Sequence, residues 1–218
     1  MVSEIAEVRG GIQKQPMRTP KQNAYPYLRV ANVLRGRLDL SNVAQFELFP
    51  GELETFSLQP GDVLIVEGNG SISEIGRSAL WNGEIADCVH QNHIIRVRPH
   101  GCLSRYFDIY WNSPVGIRNV TTTAVTTSGL YSLSTGKIGR LAVPVPPLSE
   151  QQEIVRRVDA LFALADRIEQ RVAAATARAD RVTQAVLAKA FRGELVEREV
   201  GNEPSVVILE RARKIAKV

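Results

Sequence analysis

The 218-residue sequence holds only two cysteines, Cys88 and Cys102, too few for a disulfide scaffold. No apolar run approaches the roughly 18 residues needed to span a bilayer. The N-terminus has no basic, apolar and small-residue signal pattern, so a cytoplasmic protein is expected. Signatures of common catalytic sites are missing as well. There is no glycine-rich loop ending in Gly-Lys-Ser/Thr, no metalloprotease helix motif, no nucleophile elbow and no paired-glycine cofactor fingerprint after a strand. The Asn-Pro-Pro-aromatic motif of an adenine methyltransferase is also lacking, because the only Pro-Pro pair, Pro146-Pro147, follows Val145. No catalytic residue and no cofactor is expected; any chemistry would lie with partners.

Acidic residues are absent in one place that matters. Between Glu7 and Asp39 there is none, while Arg9, Lys14, Arg18, Lys21, Arg29, Arg35 and Arg37 fall there. From Asp39 to Asp87 the balance reverses, with nine acids against Arg77 alone. From Cys88 to Ser149 the single acid is Asp108, set against Arg96, Arg98, Arg105, Arg118, Lys137 and Arg140. Two basic segments around an acidic one suit a folded positive face for phosphates, or charges scattered over solvated surface.

Residues 1–147 read as short strands cut by turns, a mixed α+β domain with long loops. Tyr27–Ala31 is a candidate strand ended by Arg35-Gly36-Arg37, and Pro60-Gly61-Asp62 is a turn ahead of the apolar run Val63–Val66. In the stretch Cys88–Arg98, Ile95 and Val97 fall on one face, Arg96 and Arg98 on the other. A helix is expected from Ser104 to Asn112.

A different period begins at residue 148. Pro144-Val145-Pro146-Pro147-Leu148 is not helical, and Ser149-Glu150-Gln151-Gln152 reads as a capping box. Apolar or small residues then recur at Ile154, Val158, Leu161, Ala165, Ile168, Val172, Ala175, Ala179, Val182 and Val186, in steps of four and three. This is a heptad seam, and Gly193 stops it. A helix over 148–193 would be roughly 65 Å long, too long to pack along one small domain. The seam therefore asks for a second long helix, from another copy or another protein, and the alanines allow close approach. The tail, 194–218, holds one more short helix from Ser205 to Ala216.

Several residues are candidates for contact with DNA, each with a plain structural alternative. Arg18, Lys21, Arg35 and Arg37 carry the first basic segment, with Asn32 among them. Asn69 and Ser71 lie in a two-glycine turn that either presents amides and side chains or merely connects. Arg77, alone among acids, favours a structural ion pair over base readout. Gln91, Asn92 and His93 offer amide side chains suited to an adenine edge, or a satisfied strand end. The hydroxyl run Thr121–Gly129 suits phosphate contact or a β-branched strand. Cys88, His90, His93, His100 and Cys102 do not have the spacing of a common zinc finger, and no metal is expected.

The stretch Pro144–Val155 resembles the entry to the conserved helices of type I restriction-modification specificity subunits, and Ala190–Val196 resembles their exit. Tyr27–Val33, Pro60–Ile65 and Cys88–Arg98 look like parts of a target-recognition domain of that family. The resemblance implies a non-catalytic subunit that binds double-stranded DNA and directs methyltransferase subunits, and through them the restriction subunit. In that family one chain usually carries two recognition domains, spaced by two helices in an antiparallel coiled coil. One domain and one helix here resemble a half-length subunit or a fragment, and two antiparallel copies would rebuild the two-domain object. Alternatives are a coiled-coil scaffold with a protein-binding domain, or the recognition part of a fused DNA methyltransferase.

Overall fold

The computed structural model describes residues 1–127, 130–195 and 205–215. In chain order the strands are β1 (Ala6–Gly10), β2 (Ala24–Leu28), β3 (Val33–Leu34), β4 (Arg37–Leu38), β5 (Ala44–Glu47), β6 (Val63–Val66), β7 (Gly68–Asn69), β8 (Ser78–Leu80), β9 (Val89–His90), β10 (Ile94–Pro99), β11 (Val125–Thr127) and β12 (Leu130–Ser132). The helices are α1 (Val2–Ile5), α2 (Glu52–Phe56), α3 (Ser104–Trp111), α4 (Pro114–Thr123), α5 (Thr135–Gly139), α6 (Leu148–Arg192) and α7 (Ser205–Ile215). The class is mixed α+β, ending in one long and one short helix. Two compact units result, Met1–Leu161 and Phe162–Val218.

The first unit is organised by the antiparallel sheet β1-β10-β6-β8. All four residues of β6 are buried, and its alternation explains why. Val63 and Ile65 enter one core with Ile95, Val97, Phe107 and Trp111, while Leu64 and Val66 enter another with Leu28, Val33, Trp81 and Ile94. A strand covered on both faces must be apolar throughout, hence the unbroken Val-Leu-Ile-Val. A third core, with Tyr27 stacked on Phe46 at 4.0 Å, covers the sheet β5-β2-β9. Gly61, at φ +95°, makes the turn into β6. Gly76, at φ +65°, turns where a Cβ would lie 2.4 Å from Val120 Cγ1, and its carbonyl accepts from Trp111 Nε1.

Local structure departs from the sequence expectations in three places. The strand through Tyr27 stops at Leu28, because the Asn32 side chain accepts the Arg29 N–H and pulls Val30–Asn32 into a 3₁₀ turn. The run Thr121–Thr123 is the last turn of α4, not a loop or strand. Ser113 caps that helix through Gly116 N–H, Pro114 sits at its first position, and the threonine hydroxyls bond the Arg118 and Asn119 carbonyls. Val125–Thr127 is strand, and Ser128-Gly129 lie outside the described residues. The third departure is the start of α6. Leu148 is already helical, with the Glu150 and Gln151 N–H groups on the Pro147 carbonyl, so Ser149 is not the cap. Gln151 is buried instead, accepting from Leu103 N–H and donating to the Pro146 carbonyl.

The other end of α6 follows expectation. Gly193 has φ +70°, its N–H reaches the Ala190 carbonyl, and Glu194 N–H reaches that of Lys189. These are the two bonds of a Schellman stop. The helix has 45 residues, about 67 Å of length. In the second unit every described residue of the helix is exposed; Leu161, just before it, is 65% and Val172 within it 60% exposed. α7 is helical from Ser205 to Ile215, with Ala216 outside the described residues. No described helix is long and apolar enough to cross a membrane.

His90 is fully buried, its Nδ1–H donating to the Ile94 carbonyl at 3.0 Å. Burial, with Arg96 close by, lowers its pKa from 6.5 to about 4. Between those values the unfolded chain takes up a proton that the folded chain refuses, so stability should fall as pH drops through that window. The slope is up to about 1.4 kcal/mol per pH unit. Urea unfolding between about pH 6.5 and 5 should show it, and His90→Gln should flatten it. An equal slope in the variant would contradict this role for His90.

Candidate nucleic-acid interface

One pole of the first unit gathers three loops through hydrogen bonds. The β3–β4 hairpin turns at Arg35-Gly36-Arg37, with Gly36 at φ +74°. Arg35 Nη2 donates to the Ser73 carbonyl at 2.7 Å, tying that hairpin to the loop after β7. Arg77 ties it again, donating from Nε to Val33 O at 2.6 Å and from Nη2 to Val30 O at 3.1 Å. Residues 91–93 form a tight turn between β9 and β10, closed by Ile94 N–H on the Gln91 carbonyl. Gln91 Oε1 accepts from Val30 N–H at 3.4 Å, and His93 Nδ1 lies 3.2 Å from Glu67 Oε2. Strand β7 pairs with β12, so the β11–β12 hairpin borders the same loops.

Most of the sequence candidates therefore come together: Arg35, Arg37, Asn69, Ser71, Gln91, Asn92 and His93 lie on these connected loops. Arg37 and Ser71 are exposed, and the others are half-buried except for the exposed His93. Asn69 Oδ1 accepts the Ser71 N–H, shaping the turn, and Ser71 Oγ meets Ser73 Oγ at 2.8 Å. Among the described residues the Arg37 guanidinium and the Asn92 side-chain amide make no hydrogen bond within the chain, although Arg37 lies close enough to Asp39 to help lower the pKa of that carboxyl.

Asn32 and Arg77 lie at the same pole but serve the fold. Asn32 is buried and also donates to the carbonyls of Asp39 and Asn42. Arg77 holds its two carbonyls with Glu74 3.7 Å away, closer to the structural reading of this cation than to base contact.

Arg18 and Lys21 are elsewhere, at the β5 edge of the β5-β2-β9 sheet. The Arg18 guanidinium makes two 2.8 Å bonds to Glu52 and lies over the rings of Phe46 and Phe49. Its hydrogen bond to Glu52 raises its pKa further. Glu47 accepts the backbone N–H groups of Lys21, Gln22 and Asn23, and these bonds hold its carboxyl below the usual range.

Of the two readings left open, a positive face or scattered charge, the first is limited in extent, because acids from several parts of the chain fold against the basic segments. Arg98 makes a bidentate pair with Asp62, whose side chain is fully buried; Arg96, 2% exposed, pairs with Glu7. Arg105 bonds Asp108 and Asp159. Desolvation lowers the Arg96 pKa and raises that of Asp108. The cysteines are apart: Cys88 is buried in the second core, its thiol pushed up to about 12, and Cys102 packs on the first. Among the described residues no group of three His, Cys, Asp or Glu is set to hold a metal.

Sequence reasoning did not single out Glu67, beside the two-glycine turn, and took Gln151 as part of a cap. Only the glycines after Glu67 signalled that the chain leaves the sheet there; nothing signalled Gln151.

Comparison with known proteins adds a family to this geometry. The type I restriction modification DNA specificity domain matches residues 2–175. The specificity subunit of the type I restriction enzyme EcoKI from Escherichia coli K12 is 36% identical over 170 residues, covering 77% of this chain and 36% of that protein. The StySPI specificity subunit of Salmonella potsdam is 34% identical over 152 residues, covering 68% of this chain and 32% of its own length. Among solved structures, the HsdS subunit from Thermoanaerobacter tengcongensis shares the fold at TM-score 0.56 and 21% identity, over 89% of this chain and 44% of that one. A chain from a structure on assembly and conformational transition of a type I R-M system gives TM-score 0.67 at 22% identity, over 89% and 45%. The chain thus spans about a third of the curated relatives' length and under half of the solved ones.

Proposed function

The chain belongs to the type I restriction modification DNA specificity domain family, and on that premise we propose that it is a DNA-recognition subunit without catalytic activity of its own. It acts in the cytoplasm, directing methyltransferase subunits, and through them a restriction subunit, to a bipartite site. The observation that carries this reading is the connected pole of the first unit. There Arg35 and Arg37 supply charge, Asn69 and Ser71 supply hydroxyl and amide groups, and Gln91, Asn92 and His93 supply groups matched to base edges, all braced from behind by Arg77 and Asn32. Phosphate contacts fix register and base contacts specify, and both kinds of group are present on one support.

The seam of α6 supports a second element of the proposal, pairing with another copy. Leu161, Ile168, Val172, Val182 and Val186 are exposed, in line with Ala165, Ala175 and Ala179. A helix with an apolar stripe in water is stabilised by covering it, and small residues let a second backbone come close. Antiparallel pairing of two copies places two recognition domains about a two-fold axis.

Two experiments test these elements separately. Replacing Arg35 and Arg37 together with alanine should weaken binding to every duplex and flatten the salt dependence by up to about one unit of slope per lost phosphate contact. An unchanged slope would remove the hairpin from the DNA surface. Ala175→Glu places a charge in the centre of the seam from both copies and should weaken the dimer at least about a hundredfold. Sedimentation velocity reads this directly, and an unchanged dimer would contradict pairing through the seam.

A further inference from the structure

We propose that Glu67 is a base-reading residue whose carboxylate accepts a hydrogen bond from the exocyclic amino group of a cytosine in the major groove, with His93 as its positioning residue. The proposal rests on the DNA-recognition reading. Glu67 leaves β6 at the point where that buried strand reaches the pole. Its backbone is fixed on both sides, its N–H donating to the His93 carbonyl at 2.9 Å and its carbonyl accepting from Leu133 N–H at 2.8 Å. The side chain is 32% exposed, with Oε2 3.2 Å from Nδ1 of His93, itself 57% exposed. Among the described residues Oε1 has no hydrogen-bond partner.

The turn does not need this side-chain pair. Backbone bonds already join residues 67 and 93, and an exposed ion pair contributes at most about 1 kcal/mol. A carboxylate at the 91–93 turn, on loops connected to those of Arg35 and Arg37, is also unfavourable for phosphate, which it repels. What it does suit is a donor. The donors that a duplex displays in its grooves are the exocyclic amines, cytosine N4 and adenine N6 in the major groove and guanine N2 in the minor. Adenine N6 is flanked by acceptors on both sides, its own N7 and the paired thymine O4, which repel a second carboxylate oxygen; cytosine N4 has guanine O6 of its pair on one side only and its own C5–H on the other. With Oε2 anchored by His93, Glu67 offers one aimed acceptor, which fits cytosine. Asn92, in the same turn and without a partner, is placed to read a neighbouring base pair.

The test is selection of binding sites from a randomised duplex library by the full-length chain, followed by the same selection with Glu67→Gln, His93→Ala and His93→Gln. Thermal unfolding checks that each variant is folded. The wild type should require cytosine at one half-site position, with discrimination of about tenfold. Glu67→Gln should change that position alone, towards adenine, whose N6 and N7 an amide can bond together. His93→Ala should loosen the cytosine preference without changing the base chosen, and His93→Gln, which restores a donor to the carboxylate, should recover it. Replacing that cytosine by pyrimidin-2-one, which lacks the amino group, should cost the wild type about the same tenfold and Glu67→Ala nothing. A folded Glu67→Gln that selects the wild-type site unchanged would overturn the assignment alone. So would a wild-type site with no required cytosine. A wild type that binds no duplex would overturn the DNA reading, and this proposal with it.

Discussion

The side chains of Val63–Val66 alternate between two hydrophobic cores, and both ends of that strand lead to charged work. Before it, Asp62 takes the Arg98 guanidinium and the Gln59 N–H from a fully buried position, closing the Pro60-Gly61 turn. After it, Glu67 and the loop to Arg77 emerge at the pole that carries the candidate DNA contacts. Burial of apolar side chains on both faces fixes the register of β6 against β10 and β8, since a slip of one residue would exchange the two cores. Because the strand cannot move, the loops at its end are presented from a rigid base. That is what recognition of a fixed sequence of bases needs.

Much of this was legible from sequence where one physical rule dominates. An unbroken Val-Leu-Ile-Val after Pro-Gly-Asp gives a buried strand after a turn, and the heptad steps up to Gly193 give a long helix with a defined stop. Arg35, Arg37, Asn69, Ser71 and residues 91–93 were legible only one by one as candidates; that their loops are connected is visible only in the fold. Legibility failed where local signals had a tertiary competitor. Ser149 fits a cap, but Leu148 is drawn into the helix and Gln151 turns inward to satisfy Leu103 and Pro146. Threonine favours strands, yet Ser113-Pro114 starts a helix and packing of Val120 in the core carries it through Thr123.

Charge was the least legible quantity. Two segments poor in acids left open a positive face or scattered surface charge, and acids distant in sequence take up several of those cations. Glu52 lies 34 positions from Arg18, and Glu7 lies 89 from Arg96. Sequence spacing says nothing about such pairs, and the same applies to Glu67 and His93, 26 positions apart. The cations left without acidic partners on the connected loops are few, which shifts weight from bulk charge to the placement of individual amides, hydroxyls and one carboxylate.

In the proposed pairing, two copies of this chain joined along the seam of α6 would present identical recognition surfaces about a two-fold axis. Identical surfaces so related must read the same bases on opposite strands, with an unread gap between them and half-site centres about one helical turn apart, roughly 34–36 Å. The most direct measurement is the methylome of a strain in which this chain is the sole specificity component for its methyltransferase. A split palindrome in the methylated motif is the predicted result. An asymmetric motif, or a contiguous one, would contradict the pairing of identical copies.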